Sequence, residues 1–376
     1  MTRKLSSIIP IIIIIIALLY FTDNTPQSDQ KTTLVSESDS LTIRYLDVGQ
    51  ADATVFHLND ADEEYVILYD VGDWHRNEVV DYLREHEIDH IDIIMISHPH
   101  ADHIGQLKPI LEHFSVDEVW MTGNETNTNL FLNTMETLLA NEDIAYHEPS
   151  IGDIYEIGPL HIEVLHPNPD ELSGDLNEDS LSILATFGEI KFLFTGDAGV
   201  KTERKIVDNH KHIEAHFLQL GHHGSNTSSD EQFIDAVKPT YAIYSAGKNN
   251  SYGHPSREVI GLLTHKNIPI LGTDTHGTIT VTTDGKRFKV ATETGDVIET
   301  GQQTEKPEII TEDCIDLNNA TQTELQNVIH INEVRANEII RLRPFHSIEQ
   351  LIDIDINGIG PKRLDDIIEE NNVCVE

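Results

Sequence analysis

One short loop limits the folds open to this chain more than any other feature. The residues His-Pro-His-Ala-Asp-His begin at His98, directly after an apolar segment at residues 91–96 that predicts a buried strand. Imidazole and carboxylate groups are ligands that borderline divalent metals prefer. One ion cannot easily take all four groups from so short a loop. Two adjacent ions can share them, one through His98 and His100 and the other through Asp102 and His103, so the loop predicts a two-metal site.

Further ligand-type residues follow other apolar strands, at the carboxyl ends where α/β proteins place their active sites. A strand predicted at residues 191–195 precedes Asp197, whose carboxylate can bridge two ions. Other predicted strands precede His166 and the adjacent pair His222 and His223. These strand ends predict the remaining ligands of the same site.

The chain divides into segments of different texture. Short apolar strands alternate with helical stretches over residues 41–294, which predicts a layered α/β domain. Residues 22–40 and 295–311 are polar and are predicted to be linkers. From residue 312 to residue 376 the pattern is helical only, which predicts a small all-α domain at the C-terminus.

The first 21 residues resemble a targeting segment. Arg3 and Lys4 precede a run dominated by isoleucine, and no small-residue cleavage site follows it. Residues 1–21 are therefore predicted to be a signal peptide or a membrane anchor, with residues 5–21 long enough for a membrane tether. Because the positive flank stays inside, we expect the rest of the chain outside the cell or on the outer face of its membrane.

The balance of charge is strongly acidic. Lys and Arg total 25 against 65 Asp and Glu, which gives a formal net charge of −40. Such a surface repels polyanions at long range and, taken alone, argues against nucleic acid as a partner. Bound divalent ions would supply positive charge where a phosphate has to lie.

Several motifs of the α/β domain resemble those of a known hydrolase superfamily. The segments "LYDVGD" with Asp70, "HPHADH", and "FLFTGD" with Asp197 resemble motifs of the metallo-β-lactamase superfamily. Within it, "LDVGQADA", "VLHP", "NEDSLSIL", "HHGSNTSS" and "NNSYGHP" resemble the hydrolase domain of the competence protein ComEC. The resemblance implies the metallo-β-lactamase αββα sandwich over the whole of this domain.

The same resemblance implies how two ions would be held. His98, His100 and a histidine from the third motif would bind one ion. Asp102, His103 and a histidine from the last motif would bind the other, and Asp197 would bridge the two. Zinc suits so histidine-rich a ligand set, and manganese is the alternative for a nuclease site that carries carboxylates.

Two of these ligand positions stay open at the level of the sequence. The third-motif histidine is assigned to His166, with Asn177 or Asp179 as alternatives. The last-motif histidine is assigned to His222, because it follows the strand end directly. His223 and His254 are its alternatives.

Other residues are assigned to catalysis or support. His223 and His254 are candidates for contacting the substrate or protonating a leaving group, and Asp102 counts as a catalytic residue as well as a ligand. Asp70 is expected to orient a ligand histidine or a water. Asp52 is given a similar supporting role, with a plain turn role as the equal alternative.

The C-terminal segment resembles the helix-hairpin-helix domain of the DNA-binding competence protein ComEA. In "NGIGPKR", Gly358 and Gly360 would form a tight turn that presents backbone N–H groups to a phosphate. Lys362 and Arg363 follow directly. The resemblance implies weak, non-specific DNA binding through this hairpin.

Two features qualify or complete this picture of the C-terminal domain. Its first hairpin has His330 and Asn332 where the family has glycines, and acidic residues outnumber basic ones, so a structural or protein-binding role is the alternative. Cys314 and Cys374 are the only cysteines and bracket the domain. In an exported chain they are free to pair, and we expect a disulfide between them.

These observations together predict an exported metal-dependent hydrolase. We expect a phosphodiesterase or nuclease that acts on DNA through a metal-bound hydroxide at a two-metal site, so no Ser or Cys nucleophile is required. One alternative is hydrolysis of a non-nucleic phosphodiester, such as a cell-wall or choline-type substrate. An alternative from another class is a non-catalytic accessory protein for DNA binding or uptake.

Overall fold

The computed structural model describes residues 36, 39–61, 63–295, 297–302, 315–326, 328–345, 348, 350–353, 359, 360, 363, 364, 367 and 373–375. The predicted signal or anchor at 1–21 lies outside these residues, as do Cys314, Gly358 and Lys362. No helix within this described part of the chain has the length and apolar character needed to cross a membrane. The chain forms two compact units, Met1–Gln302 and Gln303–Glu376.

Two sheets make up the first unit. Their strands, in chain order, are β1 (Ser40–Tyr45), β2 (Ala53–Asp60), β3 (Glu63–Val71), β4 (His90–Met95), β5 (Ser115–Trp120), β6 (Ala145–His147), β7 (Ile154–Ile157), β8 (Leu160–His166), β9 (Ser182–Phe187), β10 (Ile190–Phe194), β11 (Phe217–Gln219), β12 (Tyr241–Tyr244), β13 (Ile270–Gly272), β14 (Ile279–Thr283), β15 (Arg287–Thr292) and β16 (Val297–Gln302). The first sheet has the order β16-β15-β14-β1-β2-β3-β4-β5-β6, and the second has the order β13-β12-β11-β10-β9-β8-β7.

Helices cover the outer faces of both sheets. They are α1 (Glu78–Glu85), α2 (Leu107–His113), α3 (Asn129–Leu139), α4 (Val200–Asn209), α5 (Glu231–Val237) and α6 (Arg257–His265). One apolar core lies between the two sheets. A second core joins the first sheet to α1, α2 and α3, and a third joins the second sheet to α4, α5 and α6. The predicted αββα sandwich is thereby confirmed.

Short polar side chains begin three of these helices. Thr128, Asp230 and Ser256 each accept a hydrogen bond from the backbone N–H three residues later, at the starts of α3, α5 and α6. Such caps satisfy an N–H group that has no partner within the helix. Ser256 thus caps α6 directly before its first residue, Arg257.

An aromatic cluster in the central core fixes the strand that leads to Asp197. Phe194, the last residue of β10, lies with its ring centroid 5.9 Å from that of Tyr45, 5.3 Å from Phe56 and 5.0 Å from Tyr69. These rings belong to both sheets, and aromatic pairs at such distances add to the free energy of burial. The strand end before Asp197 is therefore held rigidly between the two sheets.

The first unit extends further along the chain than the sequence predicts. Strand β16 falls within the segment predicted to be a linker, 295–311, and pairs antiparallel with β15. Only Val297 and Ile298 are apolar in this strand. Two apolar residues are too few to establish the alternation by which a half-buried strand is recognised.

The second unit has its own small core. Its elements are β17 (Ile315–Asp316), α7 (Gln322–Leu325), α8 (Glu333–Leu342), α9 (Gln350–Asp353) and β18 (Val373–Cys374). β17 and β18 pair in parallel, a feature too short for the sequence to predict. Cys374 is disulfide-bonded, and its predicted partner, Cys314, lies outside the described residues.

A buried carboxyl group on α4 makes stability depend on pH. Glu203 is fully buried, its Oε2 accepts the Ser229 backbone N–H at 2.7 Å, and its Oε1 has no hydrogen-bond partner within the described part of the chain. Burial raises the pKa of Glu203 to about 8. The folded protein therefore holds a proton on Glu203 over a pH range in which the unfolded chain has released it.

We expect the substitution Glu203→Gln to remove this pH dependence. Because the folded pKa lies above the unfolded one, the stabilising contribution is complete below about pH 4.5 and is lost as the pH rises through about 8. The variant should therefore gain stability relative to the wild type between pH 5 and pH 9, by at most about 5 kcal/mol at about 1.4 kcal/mol per pKa unit. Urea unfolding of both proteins at these two pH values measures the difference, and parallel pH profiles would contradict it.

Candidate metal centre

The metal centre lies where the strand ends of both sheets meet. Strand β3 ends near Asp70, which is fully buried and has a backbone φ of 58°. Its Oδ1 accepts the Ser97 backbone N–H at 2.7 Å, and its Oδ2 accepts the Ser97 hydroxyl at 2.8 Å. The same Oδ2 lies 2.9 Å from Nδ1 of His103. Asp70 therefore holds the His103 ring with Nε2 directed away from it, in the geometry expected of a group that orients a metal ligand.

The loop after β4 brings two further histidines to the centre. His98 is fully buried, and its Nδ1 lies 3.0 Å from the Ser97 hydroxyl. Its Nε2 lies 2.8 Å from Nδ1 of His100 and 3.7 Å from Oδ2 of Asp197. His98, His100 and Asp197 form one group whose potential ligand atoms all lie within 4.8 Å of one another.

Asp197 faces histidines on both sides. It is buried, and its backbone N–H donates to the Ser180 hydroxyl at 3.1 Å. Its Oδ1 lies 3.4 Å from Nε2 of His103, whereas its Oδ2 lies 3.7 Å from Nε2 of His98 and 3.6 Å from Nε2 of His222. The two oxygens are thus directed at different sets of imidazoles, as a bridging carboxylate requires.

Gly196 allows this close approach. Its backbone φ is 54°, and a Cβ atom there would lie 2.7 Å from Cβ of Ser97. A side chain at this position would separate Asp197 from the histidine loop.

The adjacent histidines after β11 reach different partners. Both have a positive φ, 53° at His222 and 57° at His223, which is uncommon for residues other than glycine. Nδ1 of His222 lies 3.0 Å from the Thr227 hydroxyl, and its Nε2 faces Asp197. Nε2 of His223 lies 3.3 Å from Oδ2 of Asp102. His222 therefore belongs to the side of the centre that contains His98, and His223 to the side that contains Asp102.

Asp52 supports His223 much as Asp70 supports His103. Its Oδ2 lies 3.2 Å from Nδ1 of His223, and its Oδ1 accepts the Gln219 side-chain amide at 2.7 Å. Asp52, His103, Asp197 and His223 form a second group with potential ligand atoms within 4.8 Å of one another. The sequence left a plain turn role for Asp52 equally open, and the geometry favours the supporting role.

Two buried polar atoms that make no hydrogen bond to the described residues fit a centre that takes metal ions. Nε2 of His103 and Oδ1 of Asp197 are both buried and make no hydrogen bond within the described part of the chain. Such atoms carry a desolvation cost unless another group satisfies them. Both lie within a set of imidazole and carboxylate groups that matches the preferences of zinc and similar divalent ions.

The charges of the centre are strongly coupled. Burial acts to lower the pKa of His103, but Asp197, Asp70 and Asp102 outweigh it and hold this pKa well above its ordinary value. Burial and the neighbouring His103 lower the pKa of His98 well below its ordinary value. The carboxylates thus favour the protonated form of His103. A divalent ion would compete with this proton for the imidazole nitrogen.

His166 is not brought into either group of potential ligands. Its Nε2 lies 2.9 Å from the backbone carbonyl of Glu178, which directs this nitrogen to the loop after β8. The prediction that His166 completes the ligand set therefore finds no support in the geometry. The sequence identified a histidine at a strand end but carried no information on the direction of its ring.

The two alternatives to His166 differ from each other. The Asp179 carboxylate accepts the backbone N–H groups of Ser173 and Gly174, both at 2.9 Å, and so stabilises its own loop. Oδ1 of Asn177 is buried without a hydrogen-bond partner within the described residues. Asn177 thus has a side-chain oxygen that makes no hydrogen bond to the described residues, whereas both oxygens of Asp179 accept one from the backbone.

His254 lies beside the paired histidines. Its ring centroid is 5.5 Å from that of His222 and 6.2 Å from that of His223. Asn250 holds its backbone by accepting the His254 N–H at 3.1 Å, and Nδ1 of His254 is buried without a partner within the described part of the chain. Burial, followed by His222 and His223, lowers the pKa of His254. An imidazole at this position can form a hydrogen bond with a bound substrate.

Three supporting residues had no signal in the sequence. Ser97, Ser180 and Gln219 hold the ligand-bearing groups through hydroxyl or amide contacts. Ser and Gln occur in many structural settings, so neither their residue type nor their spacing in the sequence identifies them as supporting residues. Only their distances to the carboxylates and histidines in the structure do so.

Comparison with known proteins finds a family model that matches part of each unit. The family model described as metallo-beta-lactamase superfamily matches residues 46–248, and the one described as helix-hairpin-helix motif matches residues 311–370. The first match covers more than half of the chain and includes the loop that starts at His98, together with Asp197 and the paired histidines.

Several curated proteins are similar over part of their length. ComE operon protein 3 of Bacillus subtilis (strain 168) is 33% identical over 202 residues, which are 54% of this chain and 26% of that protein. Competence protein ComA of Neisseria gonorrhoeae is 36% identical over 121 residues, 32% of this chain and 17% of that protein. A deoxyribonuclease of Thioalkalivibrio sp. (strain K90mix) is 41% identical over 63 residues, 17% of each chain. The similar stretch is thus about a quarter of each relative's length or less, and the family match together with the ligand geometry shows that this chain belongs to the metallo-β-lactamase superfamily.

Proposed function

We propose that this protein is an exported metal-dependent phosphodiesterase that cleaves DNA. One observation carries the proposal: the two oxygens of Asp197 face two separate sets of imidazoles within a buried centre. Such an arrangement suits two adjacent divalent ions. When bound, a pair of ions supplies activated water and stabilises charge on the attacking and leaving oxygens of a phosphodiester.

The distances support one particular assignment of ligands. His98, His100 and His222 would hold the first ion. Nε2 of His98 and Nε2 of His222 face Oδ2 of Asp197, and His100 contacts His98. Asn177, the alternative to His166, has a buried Oδ1 without a hydrogen-bond partner within the described residues. This assignment puts His222 in the ligand position for which His166 was expected.

The second ion would be held on the opposite side of Asp197. Its ligands would be Asp102, His103 and His223, with Asp197 shared between both ions. Asp70 and Asp52 lie at Nδ1 of His103 and His223, respectively, and so leave Nε2 of each ring available. Zinc suits this set, and manganese is the alternative because two of the ligands are carboxylates.

The chain's own residues would arrange the substrate around these ions. His254 has a buried, unpartnered Nδ1 beside both paired histidines. From there an imidazole N–H can donate to an oxygen of the phosphodiester. It is therefore the residue proposed to assist the leaving group.

DNA as the substrate rests on the second unit and on the relatives. A helix-hairpin-helix motif matches residues 311–370, and relatives carry the names competence protein and deoxyribonuclease. The carbonyl of Gly360 accepts the N–H groups of Arg363 and Leu364, so a helical turn begins at the predicted phosphate-binding hairpin. Export rests on the basic and apolar pattern of residues 1–21 and on the competence relatives.

The test is metal-dependent hydrolysis by the full chain, loaded with zinc or manganese, of plasmid DNA and of methyl 4-nitrophenyl phosphate. Cleavage of both supports the proposal. Cleavage of the small diester alone would favour a non-nucleic phosphodiester as substrate. Two bound ions without hydrolysis of either would favour the accessory role.

The contribution of the second unit is tested by reversing one exposed charge. We expect Arg363→Glu to raise the KM for plasmid DNA several-fold and to weaken its salt dependence, because each phosphate contact releases counterions. Turnover of methyl 4-nitrophenyl phosphate should not change. Arg341→Glu is the matched control, since Arg341 is also exposed and lies on α8 of the same unit. Equal effects of the two variants on KM would contradict a role for the hairpin.

A further inference from the structure

Two aromatic side chains are exposed where exposure has no structural benefit. Within the described residues, Trp74 is 52% exposed and Tyr252 is 72% exposed, whereas the other Trp, Tyr and Phe side chains are buried or half-buried. Large aromatic rings gain free energy by burial, so rings left in water near a site commonly serve binding. Both of these rings lie on loops that adjoin the metal centre.

Tyr252 continues a series of rings that starts at the metal centre. The His223 and His254 rings have centroids 6.2 Å apart and an interplanar angle of 28°. The His254 and Tyr252 rings have centroids 5.9 Å apart and an interplanar angle of 26°. Three rings of similar tilt thus lead from a proposed metal ligand to the solvent.

Trp74 is fixed beside the histidine loop. A Cβ atom on Gly105 would lie 2.2 Å from the backbone nitrogen of Trp74. Gly105 is two residues beyond His103, and its N–H donates to the Gly72 carbonyl at 2.9 Å. The backbone of Trp74 therefore packs directly against the segment that carries the metal ligands.

A third loop joins the two aromatic loops. Cζ of Arg76 would lie 3.0 Å from a Cβ atom on Gly49, and Oε1 of Gln50 accepts the Gly247 N–H at 3.1 Å. The loop that contains Gly49 and Gln50 also carries Asp52 into the metal centre. The loops of Trp74 and Tyr252 thus both contact the segment that carries Asp52.

Exposed positive charge accompanies both rings. Arg76 follows Trp74 by two residues and is paired with Glu78. Lys248 is exposed on the loop that carries Tyr252. On a chain with a net charge of −40, Tyr252 and Lys248 give the combination that single-stranded nucleic acid requires, a ring for the base and a cation for the backbone. Near Trp74, by contrast, Glu78 offsets the charge of Arg76.

We propose that Tyr252 and Trp74 stack on unpaired nucleobases and position single-stranded nucleic acid for cleavage at the metal centre. Bases in a duplex have both faces covered by their neighbours, so an exposed ring selects unpaired bases and does so without reading sequence. This inference rests on the proposed function and names its substrate class. The two residues would position the substrate and not bind the ions. The Tyr252 ring stacks on His254, which is not one of the proposed metal ligands.

The role of Tyr252 is tested by comparing the turnover of three substrates by the metal-loaded full chain. These are a single-stranded oligonucleotide, the same oligonucleotide with abasic sites in place of its bases, and methyl 4-nitrophenyl phosphate. Tyr252→Leu should raise the KM for the base-containing oligonucleotide about tenfold more than it changes the KM for either of the other two substrates. Tyr252→Phe, the matched control, keeps the ring and should behave as the wild type.

Fluorescence gives a readout for Trp74 that does not depend on turnover. The chain has two tryptophans, and the other, Trp120, is only 1% exposed. Adding oligothymidylate should quench the emission of the wild type. The quench should be absent from Trp74→Phe, whose remaining tryptophan is buried.

The outcomes separate this inference from the proposed function. Wild-type protein that cleaves the oligonucleotide, with Tyr252→Leu affecting base-containing and abasic substrates equally, would overturn stacking and leave the nuclease in place. The same holds if Tyr252→Phe loses as much as Tyr252→Leu, or if oligothymidylate leaves the emission unchanged. Wild-type protein that cleaves only the small diester would overturn the proposed function itself.

Discussion

Replacing Asp197 by Asn is expected to reduce hydrolysis of every phosphodiester by roughly a thousandfold or more. Residues that only support a ligand typically cost 10- to 100-fold, and a carboxylate shared by two ions should cost more. Asn keeps the shape of the side chain and the backbone N–H that donates to Ser180. It removes the negative charge that faces His98 and His222 through one oxygen and His103 through the other. The loss should therefore arise from metal binding and charge rather than from misfolding.

Measurement of bound metal per chain, together with turnover, checks this expectation. The variant should retain one ion or none, with an unchanged fold by circular dichroism. Asp117→Asn is the matched control. Asp117 belongs to a surface group with His90 and Asp92, where Nε2 of His90 lies 3.2 Å from Oδ2 of Asp117. If Asp197→Asn keeps two ions and its activity, or if Asp117→Asn loses one, the proposed ligand set is wrong.

Removing the metals should lower the melting temperature of the first unit by roughly 15–30 °C. A ligand present at a thousandfold excess over its Kd stabilises the folded state by about 4 kcal/mol, and two ions would contribute twice that amount. For a unit of this size, each kcal/mol shifts the melting temperature by about 2–4 °C. Without the ions, a proton on His103 has to offset the charge of the buried Asp70 and Asp197 carboxylates in their place.

Calorimetry with and without a chelator measures this shift. The transition of the second unit should not move, because its core is separate and its described residues contain none of the proposed ligands. Adding back zinc or manganese should restore the first transition. An unchanged melting temperature after verified removal of the ions would mean that the centre does not bind them in the folded protein.

The sequence was sufficient for the fold, and it identified about half of the residues that the structure brings together in the candidate metal centre. The loop that starts at His98 and the residue Asp197 follow apolar strands, and the ends of these strands meet because the two sheets pack face to face. Strand periodicity and ligand chemistry are local properties, so the sequence reports them directly. The αββα sandwich follows from the same alternation of elements.

The remaining ligands depend on distances between loops, which the sequence does not contain. His166 and His222 both follow strands, and nothing local distinguishes them. His166 is directed to the Glu178 carbonyl, whereas His222 faces Asp197. Likewise, the positive φ at His222 and His223 determines which side each ring reaches, and there the rings contact Thr227, Asp52 and the Ser245 carbonyl.

The adjacency of His222 and His223 has a consequence for how the centre loads its ions. One peptide bond joins a proposed ligand of the first ion to a proposed ligand of the second, and both residues hold an uncommon backbone conformation. An ion that fixes either ring also fixes the φ and ψ angles next to the other ring, so the entropy of ordering this segment is lost only once. The two ions should consequently bind with positive cooperativity, and intermediate occupancy should be rare. Such a centre would be loaded with both ions or with none.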